Sequence, residues 1–139
     1  MEFIMAIVAN IILADGQGTP VNHTFNYEKG ANDVVYAVDR SGGVVIAYPR
    51  ISIGIKQPPK LTPDAIYRVS FRVELPTLAD AVSGVLTGLK YVGKFFGQFD
   101  VPVSATSAEK ANLWAYAKNF VAHTTVETAV KLGEPVTFG

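Results

Sequence analysis

The sequence predicts an α+β fold in which a run of antiparallel strands precedes two helices. Three observations lead there. Short β-branched and aromatic stretches, punctuated by Gly, Asn, Asp and Pro, fill the first three quarters of the chain. After Thr106 the apolar spacing changes from alternation to a helical repeat. Strands and helices are segregated along the chain and do not alternate, which is the α+β arrangement.

Residues 4–14 are β-branched and apolar and read as a first strand. The apolar N-terminus carries Glu2 and no basic stretch, so it reads as that strand and not as a signal peptide or membrane span. Asp15-Gly16-Gln17-Gly18 is a turn signal, and His23 to Tyr27 alternates as a returning strand. Lys29 to Asp33 reads as a second turn, Val34 to Val38 as a strand, and Asp39 to Gly43 as a third turn. Val44 to Lys56 reads as one longer strand bent at Pro49. Gln57 to Asp64 contains Pro58, Pro59 and Pro63, which cannot donate to a central ladder, so it is a loop. Ile66 to Leu75 is a strand. Thr77 to Gly88, rich in small residues, reads as a mobile loop, and Leu89 to Val103 as the last strand. Thr106-x-x-Glu109 has capping-box form and precedes apolar residues at helical spacing, Leu113, Trp114, Tyr116, Ala117, Phe120 and Val121. Thr124-x-x-Glu127 repeats the form before a short helix that Gly133 and Pro135 end.

The chain has 139 residues, the size of one domain, and 49% of them are hydrophobic against 17% charged. Such an apolar surplus points to surface covered by a partner; a well-filled core gives the same numbers. Cysteine is absent, which excludes disulfides and thiolate metal sites. Net charge is zero but uneven. Residues 1–39 hold Glu2, Asp15, Glu28, Asp33 and Asp39 against Lys29. Residues 40–72 hold Arg40, Arg50, Lys56, Lys60, Arg68 and Arg72 against Asp64. The basic middle is where a polyanion would bind.

Two strands flank the proline loop. Alternation puts Arg50, Ser52, Gly54 and Lys56 on one face and Ile51, Ile53 and Ile55 on the other. In the next strand Arg68, Ser70, Arg72 and Glu74 oppose Val69, Phe71, Val73 and Leu75. Paired as neighbours, these strands make a small basic patch with interleaved hydroxyls, suited to phosphate and base-edge contacts. A solvated polar face that binds nothing has the same pattern. The last strand adds Lys94, Phe96, Gln98 and Asp100 on one face, with Tyr91, Phe95 and Phe99 on the other. Phe96 is placed either to stack on an unpaired base or to pack on a strand neighbour.

Catalytic patterns are missing. His23 and His123 have no acid or nucleophile at triad spacing. No metal-binding or phosphate-loop motif occurs, so neither a metal nor a cofactor is expected. The sequence reads as non-enzymatic.

The run Arg50-Ile-Ser-Ile-Gly-Ile-Lys56-Gln57, then a polar loop, then Tyr67-Arg-Val-Ser-Phe-Arg-Val-Glu-Leu-Pro76, resembles the central hairpin of levivirus-type coat proteins. That hairpin carries a K-x-T-x-S-x-R-Q strand followed by K-x-T-x-K-x-E-x-P. Leu13 to Thr19 resembles the turn of the family's first hairpin, Asn32 to Tyr36 the start of its first sheet strand, and Phe99 to Pro102 with the capped helix its last strand and first helix. The resemblance covers nearly the whole chain in order.

It implies one coat-protein domain over residues 1–139: a hairpin at 1–30, a five-stranded antiparallel sheet at 33–103, and two helices at 106–133. Two subunits would join edge to edge in a continuous ten-stranded sheet, each laying its helices across the partner, with Trp114, Ala117, Phe120 and Val121 at the dimer interface. Such an obligate homodimer would assemble into an icosahedral shell, with the loop at 77–88 at the symmetry axes. Single-stranded RNA would lie on the inner face, in some members as a hairpin that represses translation. By position Arg50, Ser52, Gly54, Lys56, Arg68, Ser70 and Arg72 carry over as RNA-facing residues, with Val34 near a base and Lys94, Phe96 and Gln98 as last-strand contacts. The protein would reside in the virion and assemble in the bacterial host cytoplasm, with no membrane partner. The sequence departs from the family at Lys94, where members place a stacking tyrosine, and at Gly54, where they place a hydroxyl. Packaging that rests on charge survives both changes; recognition of a family-type hairpin does not follow. Two other readings compete: a dimeric RNA-binding regulator without a shell, and a small ligand-binding β-domain.

Overall fold

The computed structural model describes residues 10–79 and 88–136. Residues 4–9 of the expected first strand and 80–87 of the expected loop lie outside the described residues. Six strands, β1 (Ile11–Ala14), β2 (Asn22–Ala31), β3 (Val34–Val38), β4 (Arg50–Lys56), β5 (Ile66–Leu78) and β6 (Leu89–Pro102), form one antiparallel meander in that order. Two helices follow, α1 (Ser107–Val121) and α2 (Thr124–Leu132). The N-terminal half of β2 pairs with β1 and its C-terminal half with β3, so β2 to β6 make the five-stranded sheet.

Local chemistry sets these boundaries, and it corrects several expectations. β2 runs on to Ala31, where residues 29–31 were expected to turn. Only Asn32 and Asp33 turn, with φ of 52° and 63°. Two residues at positive φ make the hairpin turn whose twist matches paired strands, and Asn and Asp tolerate that conformation. Val44 to Lys56 is not one strand. Val45–Ala47 form a 3₁₀ turn, and pairing with β3 begins at Arg50. Pro49 has no N–H to give a ladder and holds Tyr48 extended; its carbonyl accepts the Asp39 N–H at 3.0 Å. β5 extends to Leu78, past the expected end at Leu75, and Ala79 N–H reaches the Gly88 carbonyl at 2.9 Å. Pro76 is accommodated because β4 pairs only with residues 68–74 of β5, leaving its flank open.

The expected capping box closes α1: Thr106 Oγ1 accepts from Glu109 N–H, and Glu109 Oε2 from Thr106 N–H. α2 differs from expectation. Its N-cap is His123, whose Nδ1 accepts from Thr125 N–H at 3.1 Å. Gly133, at φ 66°, ends it in the left-handed conformation.

The sheet is one layer with two unlike faces. On the apolar face Phe71 lies between Phe95 and Phe99, with ring centroids 5.8 and 5.7 Å away. Gly97 is the register partner of Phe71. A Cβ there would come within 2.1 Å of the Phe71 ring, so glycine is what admits the ring between its aromatic neighbours. α1 meets this face at its margin, with Trp114 5.9 Å from Phe99 and the Lys110 ammonium 5.6 Å from the Tyr67 ring.

Little apolar surface is buried within the chain. Among the described residues the buried apolar side chains are Phe25, Ala37, Val38 and Val101, while Trp114 is 57% and Phe120 70% exposed. The chain exposes 10,993 Å². A compact monomer of this mass exposes about 7,000 Å².

Gly97→Ala is expected to destabilise the protein by about 1–3 kcal/mol through overpacking against Phe71. Urea unfolding should show a lower midpoint, and Phe71→Leu in the same chain should restore part of the loss.

Candidate nucleic-acid interface

The polar face is built by register. Across β3 to β6 run the rows Val38–Arg50–Glu74–Lys94, Tyr36–Ser52–Arg72–Phe96 and Val34–Gly54–Ser70–Gln98; beyond the end of β3 comes Lys56–Arg68–Asp100. Directly opposed residues of an antiparallel ladder project to the same side, about 5 Å apart. Every RNA-facing residue anticipated from the sequence therefore lies on this one face: Arg50, Ser52, Gly54, Lys56, Arg68, Ser70, Arg72, Val34, Lys94, Phe96 and Gln98. A shallow depression of about 430 Å³ runs down its middle, bordered by Tyr36, Ser52, Ser70, Arg72, Phe96 and Gln98.

The charges here are held, not loose. Arg68 Nε donates to Asp100 Oδ1 at 2.8 Å, and Gln98 Nε2 donates to the same carboxylate at 3.2 Å. The guanidinium beside it holds the Asp100 carboxyl below its ordinary range, and Asp100 in turn raises Arg68. Arg72 is ion-paired with Glu74, and Arg50 lies 3.6 Å from Glu28. Lys56 and Lys94 have no ion-pair partner among the described residues. Lys29, Arg50, Lys56, Arg68, Arg72 and Lys94 thus stand against Glu28, Glu74 and Asp100, the same positive surplus as the sequence pattern implied. These pairs are open to water, where a phosphate competes for the same guanidinium at small cost.

Two aromatic rings carry cations. The Arg72 guanidinium sits 4.7 Å from the Phe96 ring centroid, and the Lys29 ammonium 5.3 Å from that of Tyr36. Phe96 is 62% exposed, so it is packed under Arg72 and still open on the polar side. Arg72 Nε is buried without a hydrogen-bond partner among the described residues.

The structure also accounts for Gly54. A Cβ there would lie 2.9 Å from Val34 Cγ2 and 3.0 Å from the Asp33 carbonyl oxygen. The β2–β3 turn is drawn over this point, and Ile55 N–H donates to the Asp33 carbonyl at 3.3 Å. The space for a side chain is taken by the turn.

Sequence reasoning missed Lys29, Tyr36 and Glu28. Tyr36 has the parity of Val34 and was legible; Glu28 was not, because it sits where the β2–β3 register shifts between Tyr27 and Lys29. It also missed the company of His23. The imidazole lies between Asp15 and Asp39, 3.1 and 3.0 Å away, with partners 8 and 16 residues distant in sequence. No group of residues suited to hold a metal ion occurs among the described residues.

Comparison with known proteins agrees with this architecture. The Levivirus coat protein family model matches residues 6–136. Among solved structures, the virus-like particle of bacteriophage ESE058 matches with 26% identity and a TM-score of 0.86, covering 95% of this chain and all (100%) of that one. The virus-like particle of bacteriophage NT-214 matches with 29% identity and a TM-score of 0.82, at 95% and 100% coverage. The bacteriophage GA protein capsid, at 15% identity, shares the fold, with a TM-score of 0.67 over 89% of this chain and 94% of that one. Among curated proteins none matches. The class so defined is a viral capsid protein, structural and non-enzymatic. The chain belongs to the Levivirus coat protein family, and its place is in the virion shell.

Gly54→Ala should press on the β2–β3 turn and lower stability by about 1–3 kcal/mol. Ser70→Ala, on the same face without that crowding, should stay within about 0.5 kcal/mol of the unsubstituted protein in the same urea titration.

Proposed function

We propose that this coat protein dimerises through one continuous sheet, assembles into a closed icosahedral shell, and holds single-stranded RNA on the polar face. The single observation that supports RNA holding most strongly is the grid of rows. It places cations, hydroxyls, an amide and two cation-covered rings side by side on one surface. Phosphates meet Arg50, Lys56, Arg68, Arg72 and Lys94. Ser52, Ser70 and Gln98 meet base edges or sugars, and Phe96 and Val34 meet base faces. Arg68 and Arg72 exchange their carboxylate partners for phosphate.

Dimerisation is supported from the opposite face. An apolar cleft of about 420 Å³ lies between α1 and the sheet, lined by residues such as Ile53, Phe71, Leu113 and Trp114. A partner's helix, carrying its own Trp114, Ala117, Phe120 and Val121, fits this chemistry. The outermost strand, β6, presents 14 residues of backbone along an edge that no strand among the described residues covers. An edge of that length invites pairing, and a second β6 across a twofold axis satisfies it. The roughly 4,000 Å² of surface beyond that of a compact monomer is on the scale of an obligate interface.

Binding on this face rests on charge. The crowding at Gly54 excludes the hydroxyl that hairpin-recognising members place there, and Lys94 replaces their stacking tyrosine. RNA packaging in the bacterial host cytoplasm is the reading these residues support; translational repression through a particular hairpin is not required by it.

The double substitution Arg68→Ala with Arg72→Ala should leave dimers intact, lower the RNA content of purified particles, and make the log–log salt dependence of single-strand binding shallower by about 1.4. The check is size-exclusion chromatography with absorbance at two wavelengths, negative-stain imaging and a salt titration. Unchanged RNA content would refute the RNA face. Trp114→Asp should abolish the soluble dimer; a folded soluble monomer would refute the interlocked helices.

A further inference from the structure

We propose that Asp15, His23 and Asp39 form a pH-sensitive latch that fastens the β1–β2 hairpin to the end of β3 while His23 is protonated, and loosens as it loses that proton. The three residues come from three places: the β1–β2 turn, β2, and the residue just after β3. His23 Nε2 faces Asp15 Oδ2 at 3.1 Å, and Nδ1 faces Asp39 Oδ2 at 3.0 Å. An imidazole between two carboxylates satisfies both only as imidazolium, since the neutral ring has one N–H.

The two carboxylates are not equivalent. Asp39 is 4% exposed, and its other oxygen accepts from Ser41 N–H at 3.0 Å. Asp15 is more open, and its Oδ1 accepts from both Gln17 and Val21 N–H, which leaves Oδ2 for His23 alone. When the ring becomes neutral, the remaining proton belongs on Nδ1, against the buried charge. Nε2 then turns a lone pair toward Asp15 Oδ2, and the contact between turn and sheet becomes repulsive. Among the described residues, the charged groups that meet His23 are Asp15 from the turn and Asp39 from the end of β3; β1 opposes it with the apolar Leu13.

The pH window follows from the directions of the shifts. Hydrogen bonds to Asp15 and then Asp39 raise His23 above its ordinary 6.5. Its contribution is complete below 6.5 and is lost as pH rises through the raised value. The Val21 N–H chiefly lowers Asp15, and the Ser41 N–H chiefly lowers Asp39, from 3.8. Their contribution is complete above 3.8 and is lost as pH falls through the depressed values. The latch is at full strength between these limits.

What it restrains is a cover. Ile11 and Leu13 of β1 border an apolar hollow of about 210 Å³ together with Val35, Ala37, Ile51 and Val73 of the sheet. A loosened hairpin bares part of that apolar face. The latch does not depend on RNA binding.

Hydrogen exchange of the full-length purified protein tests it, with the amides of residues 11–26 compared with those of β4 and β5 in the same sample. Between about pH 6 and pH 9 the hairpin's protection should fall about tenfold relative to that internal reference. Asp15→Asn keeps the oxygen that accepts from the turn and presents an N–H to neutral Nε2, so its protection should not fall over the same range. His23→Gln, the second variant, should show no pH step. A flat profile in the unsubstituted protein, or a step of equal size in Asp15→Asn or His23→Gln, would overturn the latch.

Discussion

A sheet one layer thick has two surfaces, and period-two alternation makes them unlike. Here Ile51, Ile53, Val69, Phe71, Val73, Phe95 and Phe99 project to one side, while Arg50, Ser52, Arg68, Ser70, Arg72 and Gln98 project to the other. Each face then has an unmet need. Among the described residues the apolar one is covered only in part, by the β1–β2 hairpin and by α1 at its margin. The polar one has more cations than its own carboxylates balance. The fold leaves one surface apolar and the other cationic, and the same alternating backbone enforces both.

Close approach of the backbone sustains that separation. Gly97 makes room for Phe71 on the apolar side, and Gly54 lets the β2–β3 turn close over the polar side. Neither glycine sits at positive φ. Both matter for the side chain they lack, in contrast to Gly133, whose left-handed backbone ends α2. Packing, rather than chain conformation, explains why a glycine stands at position 54.

The electrostatics of the polar face are tempered. Glu74, Asp100 and Glu28 each sit on an arginine, so these guanidinium groups are held in place. Exposed ion pairs hold the side chains in place at little cost to their release. At the hairpin the logic is reversed, because Asp39 is buried and water offers its carboxylate little; the charge of His23 matters there. A carboxylate in water is exchangeable, whereas one out of water needs a fixed partner.

Much of this was legible in the sequence. Alternation alone assigned the anticipated residues of β4, β5 and β6 to one side of each strand, Val34 came from the family resemblance, and the Thr106–Glu109 pair marked the start of α1. Local rules act between residues a few positions apart, so they survive without knowledge of the fold. They failed where two local signals conflicted. Val44 to Ile46 are β-branched, yet Pro49 withholds the N–H that would extend the ladder, and a 3₁₀ turn results. They were silent where contacts span the chain. The register that sets Arg72 on Phe96, the turn that crowds Gly54, and the meeting of Asp15, His23 and Asp39 are all products of strand pairing. The sequence by itself determined which residues share a face, because side-chain direction follows from backbone period. Only the tertiary structure decided which charges are already paired and which histidine is clasped, because those depend on distances between residues that the chain brings together from far apart.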